Sequence, residues 1–276
     1  MQRKTICSIF LSSSLFVCVG LFGQDKSYFK LSGSYLTNSV YNGRKDSTIL
    51  PYIIPSITYY DKSGFNIGTS IYYLNSTNAQ RVDLVSIDAD YDFKIANQVN
   101  GSIYASKYFY NANSTSVRGD SKGALGGSIS YENNIISVSG DASVLFSDKS
   151  DFLFTPSAYH TFNFGDENNA WAIAPTITAN IGTLNYYKQY FQNIDKKRRR
   201  VLPQLVQFKN ADGVLLLDYE LSLPITYDGK GWGLYITPTY AIPQSPIQVT
   251  TPGGNIFRTE KLENSFYAEF GLYVTF

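Results

Sequence analysis

The feature that most constrains this chain is a series of strand-like segments in which every second residue is uncharged. Charged residues make up 16% of the chain, yet on seven segments one alternating set contains none. These sets run over Phe65–Tyr73, Val85–Phe93, Ile136–Phe146, Trp171–Ile181, Leu215–Ile225, Trp232–Ile242 and Phe266–Phe276. Successive side chains of a β-strand point to opposite faces, so each of these strands has one face without charge. The pattern predicts strands that bury that face in lipid or in a protein core.

Twelve amphipathic segments, separated by Gly, Asn, Asp, Ser and Lys residues, are typical of an all-β chain. The predicted strands are roughly 27–37, 48–60, 65–76, 81–94, 98–110, 121–132, 134–147, 151–165, 169–183, 213–227, 231–242 and 263–276. Short connections alternate with longer ones, notably 184–212 and 243–262. Bacterial barrels have an even strand count, short periplasmic turns and longer external loops. We therefore expect an antiparallel up-and-down transmembrane β-barrel of about 12 strands with periplasmic N- and C-termini.

A soluble β-sandwich also hides one face of each strand, and the aromatic residues distinguish the two architectures. One predicted band, beside the short turns, contains Tyr59, Phe65, Tyr91, Phe93, Phe162, Phe164, Trp171, Tyr227, Trp232 and Phe276. A second band, beside the longer loops, contains Tyr35, Tyr73, Tyr108, Tyr110, Phe146, Phe152, Tyr240 and Phe266. Aromatic rings are enriched at both membrane–water interfaces, whereas a soluble core would concentrate them in mid-strand. The two bands favour a membrane barrel.

The N-terminus has the pattern of a secretory signal peptide. Arg3 and Lys4 precede an uncharged run from Ile6 to Phe22, and we expect cleavage after Gly23. The alternatives are a membrane anchor and a lipoprotein modified at Cys18. Both cysteines of the chain, Cys7 and Cys18, fall within 1–23, so the mature barrel of residues 24–276 would contain no thiol, disulfide or cysteine metal site.

With 23 basic and 22 acidic residues, the charge does not indicate nucleic-acid binding.

Two features of the strands stay open at the level of sequence. The facing of 98–110 is ambiguous, because Tyr104 and Tyr108 alternate with Ile103 and Lys107. Six prolines lie inside predicted strands, and a closed barrel has no free edge for them, so we expect them at bulges or rims. They are Pro51, Pro55, Pro156, Pro175, Pro224 and Pro238.

His160 is the only histidine of the chain and therefore a candidate for acid–base chemistry near neutral pH. Its alternation with Phe162 places it on the lipid face. The barrel-type outer-membrane phospholipase carries its catalytic His and Ser two residues apart on that face, but here the partner position is Phe162. The nucleophile is missing where the chemistry needs it, so an interfacial histidine is the simpler interpretation and no catalytic residue is assigned.

Seven carboxylates alternate with the uncharged sets and are predicted to line the lumen. They are Asp88, Asp90, Asp92, Asp141, Asp218, Glu220 and Glu269. Rings of acids favour cations, whereas a filled lumen needs paired charges, for example with Lys30 or Lys94. Twelve strands lie between the filled eight-stranded barrels and the open barrels of 16 or more, so both an open pore and a plugged lumen remain. A two-carboxylate hydrolase and a calcium site are weaker alternatives, and no metal or cofactor is predicted.

The loop 184–212 contains a basic cluster. It consists of Lys196, Lys197, Arg198, Arg199 and Arg200. Arginine binds phosphate in a bidentate manner, so the cluster is a candidate lipopolysaccharide-binding loop, the alternative being a solvated loop tip. Before it, Tyr187, Tyr190, Phe191 and Ile194 recur at helical spacing and predict a short amphipathic helix. A long hairpin extending the flanking strands is the rival geometry.

The last strand ends the chain on an aromatic residue, Phe276. With the signal pattern, the alternation and the aromatic bands, residues 27–276 resemble small single-chain outer-membrane β-barrel proteins of Gram-negative bacteria. The resemblance implies an outer-membrane location, contact with lipids including lipopolysaccharide, and recognition by the barrel-assembly machinery. The residues that would carry that assembly signal are Phe266, Phe270, Leu272, Tyr273 and Phe276.

The sequence supports three functional hypotheses. The first is a narrow passive pore, or transport-class channel, for small solutes, with an acid-lined lumen. The second is a closed structural or recognition barrel that acts through its loops. The third, an outer-membrane lipase or protease, is disfavoured by Phe162, and the sequence does not indicate an oligomeric state.

Overall fold

The structure, a computed structural model, describes residues 26–166, 168–190, 207–210, 212–250 and 256–276. The predicted signal peptide and the basic cluster 196–200 lie outside these ranges. One short helix, α1, is described over 185–190. The strands are β1 (Tyr28–Leu36), β2 (Val40–Tyr41), β3 (Arg44–Lys45), β4 (Tyr52–Tyr60), β5 (Phe65–Ser76), β6 (Ala79–Ala96), β7 (Val99–Tyr110), β8 (Gly123–Tyr131), β9 (Ser137–Phe146), β10 (Asp151–Tyr159), β11 (Phe162–Asp166), β12 (Asn169–Ile173), β13 (Thr176–Gly182), β14 (Gln207–Lys209), β15 (Leu215–Ser222), β16 (Ile225–Asp228), β17 (Trp232–Pro243), β18 (Gln248–Thr250), β19 (Ile256–Thr259) and β20 (Ser265–Thr275).

Fifteen of these strands form one sheet that closes on itself as a twelve-stranded antiparallel barrel. Three wall strands are each interrupted and consist of two pieces, namely β10 with β11, β12 with β13, and β15 with β16. Closure comes from β1, which pairs with β4 on one side and with β20 on the other. Among the described residues the wall strands are paired on both sides, except the short piece β11, which pairs with β12. Such pairing within the sheet is what lipid demands of backbone groups. The prediction of a twelve-stranded barrel is confirmed.

The two ends of the barrel differ in their connections. At the turn end the connections are short, and the first and last strands meet there through the backbone groups of Phe29 and Phe276, 2.9 Å apart. At the loop end lie the longer connections 37–51, 111–122, 183–214 and 244–264. Among the described residues, no helix is both long and apolar enough to cross a membrane.

Aromatic side chains pack against one another around the turn end. Phe29 contacts Tyr59 at 5.0 Å and Phe276 at 6.1 Å between ring centroids. Tyr227 contacts Trp171 and Trp232 in the same way at 4.9 and 5.1 Å. Between these rings and the loop end the outer surface exposes Leu, Ile and Val side chains, which is the apolar belt of an outer-membrane barrel.

The structure decides the facing of β7. Ile103 is 56% exposed on the outer surface, and Tyr108 is 5% exposed inside. The sequence assignment of Tyr108 and Tyr110 to the outer aromatic band is therefore wrong, because both pack with the interior apolar cluster. Phe109 lies on the outer surface between them, with the Lys107 amine 5.7 Å from its ring.

A β-bulge corrects a second assignment. The ladder between β13 and β15 shifts register between Asn180 and Ile181, and this extra residue turns Leu217 inward, where it is fully buried. Leu215 and Leu217 were both predicted to face outward, but both pack with the interior apolar cluster, because a strict period of two cannot anticipate a bulge.

The prolines lie partly where expected. Pro175 and Pro224 occupy the interruptions between strand pieces, where no ladder hydrogen bond from their nitrogen is needed. These interruptions lie within the wall rather than at its rims. Pro55 and Pro156 lie inside strands, each opposite a glycine, Gly33 and Gly140.

Candidate functional site: the lumen and its mouth

The lumen has a polar half toward the turn end. A cavity of about 80 Å³ there is lined by hydroxyl groups and by charged side chains from opposite walls. Lys30, Asp88, Asp90 and Glu269 contribute the charges, and Ser32, Ser56 and Ser70 are among the hydroxyls. Alternation along each strand explains the lining, because the partners of the outward apolar residues must point inward.

The three aspartates of β6 lie along one wall of the lumen. The Asn66 amide nitrogen donates to Asp90 at 2.5 Å and to Asp92 at 3.1 Å, and the Ser86 hydroxyl donates to Asp88 at 2.8 Å. The donors that hold these three carboxylates are therefore neutral side chains.

The other four predicted lumenal acids also face the interior and accept hydrogen bonds from neutral groups. Tyr104 donates to Asp141 at 3.1 Å, Asn180 to Asp218 at 2.8 Å, Tyr267 to Glu220 at 3.1 Å and Tyr235 to Glu269 at 3.2 Å. Asp218 and Glu220 are the most deeply buried, with 0% and 1% of their surface exposed. Lys30 lies inside as expected, its amine 4.1 Å from the Tyr273 ring, whereas Lys94 is exposed at the turn end.

The mouth at the loop end is filled by folded loops. An apolar cluster inside the barrel joins side chains of four connections, namely the loop 37–51, the loop 111–122, helix α1 and, through Ile247, the loop 244–264. It contains Tyr41, Val117, Tyr186, Tyr187 and Tyr190 from these loops, packed on wall residues such as Leu145 and Leu217. We call this assembly the plug. The lumen is thus polar in one half and packed in the other.

The plug is built around a small β-hairpin. Strands β2 and β3 pair with each other and not with a barrel strand. Their turn residues Asn42 and Gly43 have φ of 48° and 73°, which is the left-handed backbone that an Asn-Gly turn favours. The hairpin passes into the mouth and places Arg44 against β15 of the wall.

Arg44 makes several hydrogen bonds and an ion pair within the plug. Its guanidinium donates to the carbonyl oxygens of Leu217, Gln244 and Ser245 at 3.2, 3.0 and 3.0 Å. Its Nε lies 3.3 Å from Glu260 Oε1, and the two side chains are 1% and 5% exposed. Glu260 in turn accepts from the Ile247 backbone nitrogen at 3.0 Å. A planar guanidinium suits several acceptors at once, so this single residue joins the hairpin to the wall strands and to the loop 244–264.

Helix α1 is fixed to the wall by Asp151, the first residue of β10. The Asp151 carboxylate accepts from the backbone nitrogens of Asn185 and Tyr186 at 2.6 and 2.7 Å and from the Thr183 hydroxyl at 2.6 Å. A carboxylate at a helix start satisfies amide groups that have no partner within the helix. The predicted helix is therefore present at Tyr187 and Tyr190, but both side chains are buried in the mouth. Phe191 and Ile194 lie outside the described residues.

His160 lies at the interruption between β10 and β11. Its ring packs edge-on against Phe162, with 4.4 Å between centroids. Within the described residues its Nδ1 has no hydrogen-bond partner. Within the parts of the chain that the structure describes, no group of three or more His, Cys, Asp or Glu side chains could hold a metal ion.

The residues of the proposed assembly signal divide between the two faces of β20. Phe266, Phe270, Leu272 and Phe276 are exposed outside, while Tyr273 is buried inside, where its hydroxyl donates to Asp228. This is the division that the alternation of the last strand predicts.

Sequence reasoning missed the residues that organise the mouth, Arg44, Asp151 and Glu260. Each lies in or beside a loop, and their partners are distant in the chain. Asn42-Gly43 was the one available signal, since Asn-Gly is a strong hairpin indicator, but the flanking strands have only two residues each.

Comparisons with known proteins find outer-membrane porins and channels among the solved structures that are similar to this chain. No family model matches the chain, and no curated protein matches its sequence. The KdgM porin shares 10% identity over 90% of this chain and 99% of its own, with a TM-score of 0.48. The NanC porin shares 11% identity over 89% and 98%, also at 0.48. The COG4313 outer membrane channel from Pseudomonas putida F1 shares 10% identity over 92% and 97%, at 0.46.

At TM-scores below 0.5 these similarities do not carry a function across to this chain. One KdgM structure is a complex with disordered oligogalacturonate, and that ligand belongs to KdgM. What identifies the present chain is its own architecture, an all-β, closed, twelve-stranded antiparallel barrel of the small outer-membrane type.

Proposed function

We propose that this protein is a narrow passive pore of the outer membrane that conducts small solutes and prefers cations. The observation that carries the proposal is the polar half of the lumen, in which hydroxyl groups and the carboxylates of Asp88, Asp90 and Glu269 surround a cavity. Rings of acidic side chains set cation preference in a narrow passage.

The location and partners of the protein belong to the same proposal. Residues 1–23 are the export signal, the exposed face of the last strand is read by the barrel-assembly machinery, and lipid surrounds the apolar belt.

The cluster 196–200 binds lipopolysaccharide phosphates. Replacing all five of its basic residues with Gln should reduce the lipopolysaccharide that co-purifies, and unchanged lipid content would contradict this assignment.

Single-channel recording in planar bilayers tests the pore. We expect discrete openings whose reversal potential in a salt gradient indicates cation preference. Silence from protein that is correctly folded, judged by an SDS-gel mobility that changes on boiling, would contradict the proposal.

A second candidate is a closed barrel that acts through its loops, and the packed mouth favours it. Tyr41, Tyr186 and Tyr187 fill the passage at the loop end, and no solute passes a packed apolar cluster. The two candidates differ in whether the plug can leave the mouth.

A further inference from the structure

We propose that the hairpin 40–45 is the gate of this pore and that Arg44 is its latch. The inference rests on the proposed function, since only a conducting lumen needs a gate. It assigns different roles to two parts of the plug, with helix α1 as a fixed seat and the hairpin as the part that moves.

The connection between the hairpin and the barrel is narrow. The chain enters and leaves through a neck where the Ser39 nitrogen donates to the Leu50 carbonyl at 3.0 Å and the Leu50 nitrogen donates to the Asn38 side chain at 2.9 Å. Leu50 is buried in a second apolar cluster with Leu36 and Tyr52, which anchors the neck to the wall. Beyond the neck, β2 and β3 form their own two-stranded sheet. The hairpin can therefore swing about the neck without breaking a ladder of the barrel.

The hairpin docks on helix α1 through one contact to each of three tyrosines. Tyr41 meets Tyr186 edge-on with 5.0 Å between centroids, the Arg44 guanidinium lies 5.3 Å from the Tyr187 ring, and the Tyr190 hydroxyl donates to Asp46 at 3.0 Å. The helix itself stays on the wall through Asp151. These contacts define a seat that remains in place when the hairpin leaves.

The latch has the energetics of a reversible contact. Burying Arg44 and Glu260 removes both charges from water, and this desolvation offsets much of their attraction. When the hairpin moves out of the mouth, both groups regain water and the three carbonyl acceptors face an aqueous passage.

The experiment measures the position of the hairpin independently of conduction. Spin labels are placed on Ser47→Cys, exposed on the hairpin side of the neck, and on Lys62→Cys, exposed in a turn at the far end of the barrel. Residues 26–276 contain no cysteine, so the labels are unique in the mature chain. Pulsed electron–electron double resonance in lipid vesicles gives the distance between the two labels. Channel currents of the same variants without labels are recorded in planar bilayers.

We expect one narrow distance distribution with Arg44 intact and a shift to longer distances in Arg44→Ala, accompanied by a several-fold rise in open probability. Glu260→Gln keeps the side-chain volume and should shift the distribution less, which provides a second test if Arg44→Ala fails to fold. Arg44→Lys should give a distance distribution and an open probability between those of the wild-type protein and Arg44→Ala, because one ammonium group cannot donate to all the acceptors. Lys45→Ala, at the neighbouring position, is the matched control and should change nothing.

The outcomes separate the two proposals. If the distance lengthens while every variant is electrically silent, the hairpin moves but the barrel is not a pore. If the barrel conducts while neither Arg44→Ala nor Glu260→Gln changes the distance, the pore proposal is retained and the proposal that the hairpin is a gate is contradicted.

Discussion

Gly43, at the tip of the inserted hairpin, lies directly against Pro243 of the barrel wall. A Cβ atom added to Gly43 would lie 2.8 Å from the Cβ atoms of both Pro243 and Asp218. Non-bonded carbon atoms in packed interiors do not approach so closely, because their optimal separation is about 3.5–4.0 Å. The hairpin therefore reaches the wall only because its tip residue has no side chain.

Gly43→Ala should push the hairpin from its seat. The alanine meets backbone and side-chain atoms that cannot rotate away, at a cost of about 1–3 kcal/mol for overpacking, and its left-handed backbone adds about 1–2 kcal/mol. We expect more frequent openings in planar bilayers and a lower free energy of unfolding.

Gly213→Ala is the control for that prediction. Gly213 has a φ of 80°, but nothing lies within 4 Å of an added Cβ, so the substitution introduces backbone strain without a clash. If both variants open equally often, backbone strain rather than contact with the wall explains the increased opening. The inferred contact between Gly43 and Pro243 would then have no role in holding the hairpin.

Cation preference should depend on the aspartates of β6. Replacing Asp88, Asp90 and Asp92 together with Asn removes their charge and keeps their size, so the reversal potential in a salt gradient should move toward that of a non-selective pore. The matched control is Asp148→Asn with Glu263→Gln, two exposed loop carboxylates paired with Lys122 and Lys261. Water and salt screen such charges within about 8 Å at physiological ionic strength. A control that alters selectivity as much as the triple variant would contradict a lumenal origin.

The wall of this barrel could be predicted from sequence, and the mouth could not. Period-two alternation fixes which side of each strand meets lipid, and the solvent on that side excludes charge so strictly that twelve strands are recognisable. The inward position of Leu217 was not predicted, because one bulge reverses the alternation. Arg44 and Glu260, 216 positions apart, meet because two loops fold into the same mouth. No local pattern encodes such a meeting, and a lone arginine in a loop is usually solvated.

Asp151→Ala should loosen the seat of the gate. The substitution leaves the backbone nitrogens of Asn185 and Tyr186 without their acceptor in a buried site, at about 1–3 kcal/mol for an unsatisfied group. We expect noisy, flickering channel records and a lower thermal unfolding midpoint. Asp151→Asn keeps one acceptor oxygen and should be intermediate. If Asp151→Ala matches the wild-type protein in both measurements, helix α1 is held by other contacts.

The outward face of β17 provides a direct test of lipid as the solvent. Ile236 lies on that face midway between Trp232 and Tyr240, while Thr237, the next residue, points inward opposite Glu269. Ile236→Lys should lower the free energy of unfolding in lipid vesicles by about 2–4 kcal/mol, the cost of a basic residue at the bilayer midplane. Thr237→Lys places the same charge beside a carboxylate in the lumen and should cost much less. Two variants of equal stability would mean that the apolar belt does not lie in a membrane, and the pore would lose its physical basis.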